Sequence, residues 1–353
     1  MSPEPQKICI VCGDSATSKC PDCKSDTYSR YYCGKTCQEK DWPTHKEGCR
    51  DSRNRRLEKK LARIADILQQ AYYIFRENTW DMPVAAIMVR DDLVEIYPSY
   101  SGALSFFSKF PDHLPMSEQT RNAILSAFSC NEPMVYIKEM ISASFEGMGV
   151  KVEECKVVIG KITRKVIFQR IAKEFQDCSM YAHGIIRITV PGKRWIIDIT
   201  GAQFGVRKTL WTWDNYKDEH DAKIGIVYAL GTNATLIKAL SRIQGLNGMR
   251  HRVKQMAADT LNAAIKEWTD GHQSIAAMLL NDENEYEETK LSLLNCIDAV
   301  IRSFVATNRF ETEIRMAVEY ELRNPGTSEK MADAVANLFT MSLFVKMRGR
   351  NSQ

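Results

Sequence analysis

Eight residues between positions 9 and 49 carry soft or borderline metal-binding atoms, and they fall in pairs: Cys9 with Cys12, Cys20 with Cys23, Cys33 with Cys37, and His45 with Cys49. A gap of two lets a turn bring both thiolates to one ion. A step of four puts both side chains on one face of a helical turn. Tetrahedral zinc takes four such ligands, so eight imply two structural Zn2+ ions with no open position for catalysis. A disulfide framework would belong to an oxidising compartment, and the opening Met-Ser-Pro-Glu-Pro-Gln-Lys has no apolar signal core. The segment has few apolar residues for its size, so metal binding must supply much of its folding free energy, on the order of 10 kcal/mol per site. Spacing alone does not say which pairs share an ion.

The residues between the ligands narrow the class. Tyr31-Tyr32-Cys33-Gly34-Lys35-Thr36-Cys37-Gln38 and Asp41-Trp42-Pro43-Thr44-His45-Lys46-Glu47-Gly48-Cys49 resemble the MYND zinc finger, and the resemblance covers residues 9–49. It implies an interleaved arrangement, with Cys9, Cys12, Cys33 and Cys37 on one zinc and Cys20, Cys23, His45 and Cys49 on the other. It also implies a protein-binding module that takes a partner segment, such as a short Pro-containing peptide, often in transcriptional or chromatin control.

A second set of residues could do different chemistry. Cys130 precedes Asn131-Glu132-Pro133, which reads as a helix start because proline and an acid suit a first turn. The exposed N–H groups of a helix start favour thiolate. A cysteine nucleophile needs a base, and the base is often oriented by a carboxylate. His183 begins one strand-like run and Asp198 closes the next, so a hairpin would set them side by side. The order, over residues 126–202, is similar to the transglutaminase-like, papain-type core. That likeness implies a nucleophile at Cys130, a general base at His183 and an orienting acid at Asp198. Phe128 stands where that fold commonly has glycine, and no aromatic follows His183.

The elements that must position these groups define an α+β chain. A small two-zinc finger (1–50) is followed by a connecting helix (51–80), a mixed α/β region with antiparallel strands (81–230) and a mostly helical region (231–353). Leu57, Leu61, Ile64, Leu68, Ala71 and Phe75 recur at helical spacing, predicting a helix from Asp51 to about Asn78. Strands are expected over Val84–Val89, Leu93–Ile96, Val150–Ile159, Gly184–Val190 and Arg194–Ile199, the last two joined by Pro191-Gly192-Lys193. The Pro98–Pro115 stretch reads as loop, and Ser117-Glu118 starts a short helix. Trp211–Asp214 is expected to lead into a polar loop, with helices from Ala234 onward and a basic tail after Met347.

Composition bounds the function. The 353 residues are 44% hydrophobic and 26% charged, as in an ordinary globular chain. No apolar run is long enough to span a membrane. Seven of the eleven cysteines fall in the finger and four are scattered, which fits a reducing nucleus or cytoplasm rather than secretion. A net charge of +4 does not argue for nucleic acid as a direct ligand. The basic residues from Arg50 to Arg63 read as the solvated face of the connecting helix, since no DNA-recognition module accompanies them. Protein recruitment through the finger is therefore the leading reading. Acyl transfer or hydrolysis by Cys130, His183 and Asp198 is the alternative. A lysine methyltransferase ranks last, because neither an Asn-His-Ser-Cys nor a Gly-Glu-Glu-Leu stretch is present.

Overall fold

The structure is a computed structural model that describes residues 7–23, 30–99, 106–169 and 175–350. The polar residues 1–6, part of the expected 98–115 loop (100–105) and the end of the basic tail (351–353) lie outside them. The chain folds into two compact units, Met1–Arg63 and Ile64–Gln353.

The first unit holds β1 (Ser18–Lys19) and β2 (Tyr31–Tyr32), an antiparallel pair in which Ser18 faces Tyr32, and about the first two-thirds of α1 (Lys35–Asn78). The helix begins sixteen residues before the expected Asp51 and runs through Pro43. A proline inside a helix forfeits one backbone bond. Here Thr44 Oγ1 donates to Asp41 O at 2.9 Å beside it, and His45 and Cys49 sit one turn apart beyond it. Cys33 precedes the helix, so only Cys37 of that pair is helical.

In the second unit, the end of α1 buries Ile64, Leu68, Ala71 and Phe75 of the predicted stripe, and Tyr72 beside them. There follow β3 (Val84–Arg90), β4 (Leu93–Pro98), α2 (Glu118–Ser126), α3 (Pro133–Tyr136), α4 (Lys138–Ser144), β5 (Lys151–Ile159), β6 (Lys165–Gln169) and β7 (Phe175–Asp177). Then come β8 (His183–Val190), β9 (Lys193–Ile197), β10 (Leu210–Thr212), α5 (Trp213–His220) and β11 (Ala222–Ala229). The chain continues through α6 (Thr232–Ser241), α7 (Leu246–Gly271), α8 (Ile275–Met278), α9 (Glu283–Ala306), α10 (Glu311–Arg323) and α11 (Thr327–Arg350).

Two sheets organise this unit. One has the order β10-β9-β8-β5-β11 and is antiparallel throughout. The other, β3-β4-β6-β7, is mixed, with β4 and β6 parallel. The β8–β9 hairpin turns on Pro191-Gly192: Val190 pairs with Lys193, and Gly192 has φ +79, which glycine adopts without steric cost. Val157, Ile185, Ile196, Trp211 and Tyr216 belong to one apolar cluster on the five-stranded sheet. Glu154 is fully buried in β5 and accepts from the N–H groups of Gly231 (2.6 Å) and Asn233 (2.9 Å), so its carboxylate caps the start of α6. The helical half packs mainly through α7 and α9. Val253, Ala257, Leu261 and Ile265 line up along α7, and Leu293, Ile297, Ile301 and Phe304 along α9.

The α+β expectation therefore holds, with a helical C-terminal half. Three local expectations need correction. The segment from Trp211 is not a loop: it is β10, the short helix α5 and the edge strand β11. The link between Ile159 and His183, whose sequence reads as helical or irregular, carries β6 and β7. The helix expected after Cys130 is two short pieces, broken at Ile137 (φ −110°, ψ 23°). Among the described residues no helix is long and apolar enough to cross a membrane.

Candidate functional site: two cysteine-rich clusters and a buried Cys-His-Asp arrangement

The eight finger ligands gather into two groups, Cys9, Cys12, Cys33, Cys37 and Cys20, Cys23, His45, Cys49, with the ligand atoms of each group within 4.8 Å of one another. This is the interleaved pairing that the finger resemblance implies. In the first group, sulfur separations are 3.4 Å for Cys12–Cys33, 3.5 Å for Cys33–Cys37 and 3.8 Å for Cys37–Cys12. In the second, Cys20–Cys49 is 3.6 Å and Cys23 Sγ lies 3.4 Å from His45 Nε2. A tetrahedron built on zinc–sulfur bonds of about 2.3 Å has edges of about 3.8 Å, and a mixed sulfur–nitrogen edge is about 3.6 Å. No disulfide forms among these cysteines. Four thiolates in one group, and three thiolates with an imidazole in the other, thus fit two structural zinc ions, and no ligand place is left for a substrate.

The surrounding contacts hold the second group in place. Asp41 accepts from Arg30 Nη1 at 2.6 and 2.7 Å, from Tyr32 OH at 2.8 Å and from Thr44 Oγ1 at 2.9 Å. Burial opposes its charge, but these partners hold the carboxyl below its ordinary range. The carboxylate so ties β2 to the helix that presents His45 and Cys49. Tyr32 and Trp42 both meet the His45 ring edge-on, at 6.4 and 6.2 Å between centroids. Contacts of this kind orient the ligands before the metal arrives.

The second unit brings Cys130, His183 and Asp198 together. His183 Nε2 donates to Asp198 Oδ1 at 2.7 Å, and both residues are 1% exposed. Tyr216 OH donates to Asp198 Oδ2 at 2.9 Å. The Asp198 backbone N–H is held by Thr209 O at 2.8 Å, and Phe204 meets the His183 ring edge-on at 4.8 Å. Cys130 is partly exposed, its Sγ lies 3.8 Å from the carbonyl O of Ala182, the residue before His183, and the His183 ring acts on the thiol. The Cys130 chain crosses β8 at Gly184. A Cβ built there would meet Cys130 O at 2.7 Å, Asn131 Oδ1 at 2.7 Å and Met134 Cε at 2.8 Å, so only glycine permits this approach.

Electrostatics follow from that packing. Burial pushes the Cys130 thiol up, but the His183 ring and the Lys156 ammonium outweigh it, and the thiol is lowered overall. Burial likewise disfavours charge on His183. The Asp198 carboxylate and the Cys130 thiol reverse that and raise the ring to about 9. The helix-start argument for Cys130 does not hold: the residue sits in a turn three positions before α3, which has only four residues. The lowering of its thiol comes from the imidazole and the lysine instead. Phe128 has φ +56°, a left-handed conformation uncommon for a bulky residue and free of cost for glycine. Tyr216 and Lys156 escaped the sequence reading. Lys156 does leave a trace there, a charged residue inside the β-branched run of β5.

The family comparison agrees with the first of these sites: the MYND finger model matches residues 9–49. These residues form a two-zinc MYND finger, a known protein-interaction module. No curated protein and no solved structure matches the chain. None of the comparisons supports the transglutaminase-like resemblance, so the arrangement around Cys130 stands on its own geometry.

Proposed function

We propose that this protein recruits a protein partner through its finger, taking a short Pro-containing segment of that partner, and that it does so in transcriptional or chromatin regulation in the nucleus or cytoplasm. The observation that carries the reading is the exposed apolar surface of the finger itself. Trp42 is 45% exposed beside the ligand His45, and Ile8 and Ile10 are 63% and 61% exposed on either side of the ligand Cys9. A zinc-clamped surface loses little conformational freedom on binding, and tryptophan is the side chain most often found at the centre of a binding surface. Proline-rich segments suit an aromatic surface because they are already extended and ordered before they bind.

The test is fluorescence-polarisation binding of the full-length, zinc-loaded chain to a library of Pro-containing peptides. Saturable binding that a chelator abolishes and that Trp42→Ala weakens at least about tenfold, the loss of one central aromatic anchor, supports the reading. Binding unaffected by both treatments sinks it.

A further inference from the structure

We propose that Cys130, His183 and Asp198 form a second functional site, in which Cys130 Sγ takes an acyl group from a carbonyl substrate. This reading is independent of the finger. The imidazole stands between the two other groups. Its Nε2 is committed to Asp198 at 2.7 Å, while its Nδ1 is buried with no hydrogen-bond partner of ordinary geometry and is the ring nitrogen left for the thiol. Sulfur and carboxylate on opposite ring nitrogens cannot converge on one ion, and the three do not form one of the metal-binding groups found among the described residues. His220 Nε2 is likewise buried without a hydrogen-bond partner, so the unpaired nitrogen alone does not mark a site; what distinguishes His183 is its bond to Asp198 together with its interaction with Cys130. The partly exposed Cys130 is the nucleophile that interacts with this ring.

The remaining contacts serve the same arrangement. Asp198 is fixed through both oxygens, by His183 and Tyr216, and through its N–H by Thr209. Lys156 Nζ bonds Asn131 Oδ1, placing an ammonium next to the Cys130 turn. Asn131 and Glu132, the two residues after Cys130, line a cavity of about 260 Å³ together with Asn247, Arg250, His251 and Lys254, and Cys130 itself is not among its walls. The strained Phe128 lies two residues before the nucleophile, and local strain of this kind concentrates at functional sites.

The chemistry balances without a cofactor. The proton of Cys130 rests on His183, and the thiolate attacks the carbonyl carbon of an ester, thioester or amide. A carbon–sulfur bond forms and the carbonyl electron pair moves to oxygen. Collapse of that adduct breaks the bond to the leaving group, which takes the proton from His183. Water then attacks the thioester with His183 accepting its proton. The products are the free acid and the restored thiol. Cys130 and His183 are the catalytic residues in this scheme, and Asp198 and Tyr216 are positioning residues.

The experiment uses the full-length, zinc-loaded protein with p-nitrophenyl acetate as the acyl donor and iodoacetamide as a second thiol probe. Peptide mapping locates the adducts, and a synthetic peptide covering residues 126–135 gives the rate of the same cysteine without the fold. The titratable groups facing the thiol are His183, Lys156 and the buried Cys178, with Asp198 behind the ring. A thiol held down by them reacts at least about tenfold faster than the peptide at mildly acidic pH. Acetyl on Cys130 at that rate, with acid-side reactivity reduced by Asp198→Asn in a variant that keeps the wild-type circular dichroism, supports the proposal. Should Asp198→Asn fail to fold, the wild-type pH profile against the peptide decides alone. Adducts confined to other cysteines, or a Cys130 profile matching the peptide, overturn it.

Discussion

Asp198 and His183 meet at 2.7 Å although they are not opposite each other in the sheet. Ile197 pairs with Ile186, so Asp198, one residue past the end of β9, falls opposite Ile185 and reaches His183 along the diagonal. Diagonal neighbours stand farther apart than direct ones and touch only when a side chain leans along the strand. Here Tyr216 and Thr209 hold Asp198 in that leaning position.

The first prediction concerns pH. A buried histidine raised from 6.5 to about 9 contributes stability that is fully present below 6.5 and is lost as pH rises through about 9. Cys130 works in the opposite sense. Its thiol is lowered, so its contribution is present above the ordinary value of 9.0 and falls away as pH drops through the folded value. Carbon-detected NMR of the His183 ring should follow a titration centred well above 6.5. A ring that titrates at its ordinary value would contradict the ion pair.

Tyr216→Phe removes one of the two side-chain hydrogen bonds to Asp198 and keeps the ring that packs against Trp211 and His220. A hydrogen bond to a buried charged group contributes about 1.5–3 kcal/mol, and the loss should appear in urea unfolding. The same variant should move the pH profile of Cys130 labelling, because Asp198 would be free to turn from the ring. Unchanged stability and an unchanged profile would assign the tyrosine to packing alone.

Gly184→Ala probes the approach of the cysteine to β8. The added methyl group would meet the Cys130 carbonyl at 2.7 Å, and backbone gives way less readily than a side chain. Overpacking of this kind costs typically about 1–3 kcal/mol. The Cys130 turn should also shift away from His183, so labelling of Cys130 at acid pH should fall together with the unfolding midpoint. A variant as stable as the parent would show that the turn is loosely held.

Asp81 anchors a separate ionic cluster. Its side chain is 6% exposed and lies 2.9 Å from Arg76, 3.0 Å from Lys254 and 3.5 Å from Arg250. Burial opposes its charge, yet Lys254 and Arg76 hold the carboxyl far below its ordinary range. Glu132 shares both cations, at 4.0 Å from Arg76 and 2.8 Å from Lys254. Removing one partner of a buried ion pair typically costs about 3–5 kcal/mol, because the remaining charge stays buried. Asp81→Asn should destabilise the second unit by an amount of that order in denaturant unfolding. A loss well under about 1 kcal/mol would mean that Glu132 alone balances the cations.

What could be read from the sequence followed the range of each interaction. Zinc ligands announce themselves because their geometry is local: a two-residue turn and a four-residue helical step are visible in the spacing of Cys9 with Cys12 and His45 with Cys49. His183 and Asp198 stood out as polar residues at the ends of β-branched runs. Tyr216 gave no such sign, because its link to Asp198 depends on α5 folding back eighteen residues later over the same sheet. The strand β11 was hidden for a similar reason. Ala222–Ala229 alternates weakly and pairs with β5, more than sixty residues earlier, so only tertiary packing makes it a strand. The break at Ile137 left no mark either, since Met134, Ile137, Met140 and Ile141 keep helical spacing across it.

The last prediction separates the two zinc sites. Every ligand of the Cys20, Cys23, His45, Cys49 group is buried, whereas Cys12 is exposed and Cys33 and Cys37 are half-buried in the other group. A chelator attacks through an accessible ligand, so the Cys9, Cys12, Cys33, Cys37 site should release its metal first. The second release should be slower and should coincide with loss of structure in β1, β2 and the Asp41 contacts, because few apolar side chains remain to hold them. Zinc release followed by a colorimetric dye should therefore be biphasic, with Cys12→Ser speeding the fast phase only. Amide signals of the β8–β9 hairpin should persist throughout, since its core is aliphatic and aromatic and owes nothing to metal. A single release phase in which both cysteine groups become reactive together would show that the two sites act as one cooperative unit.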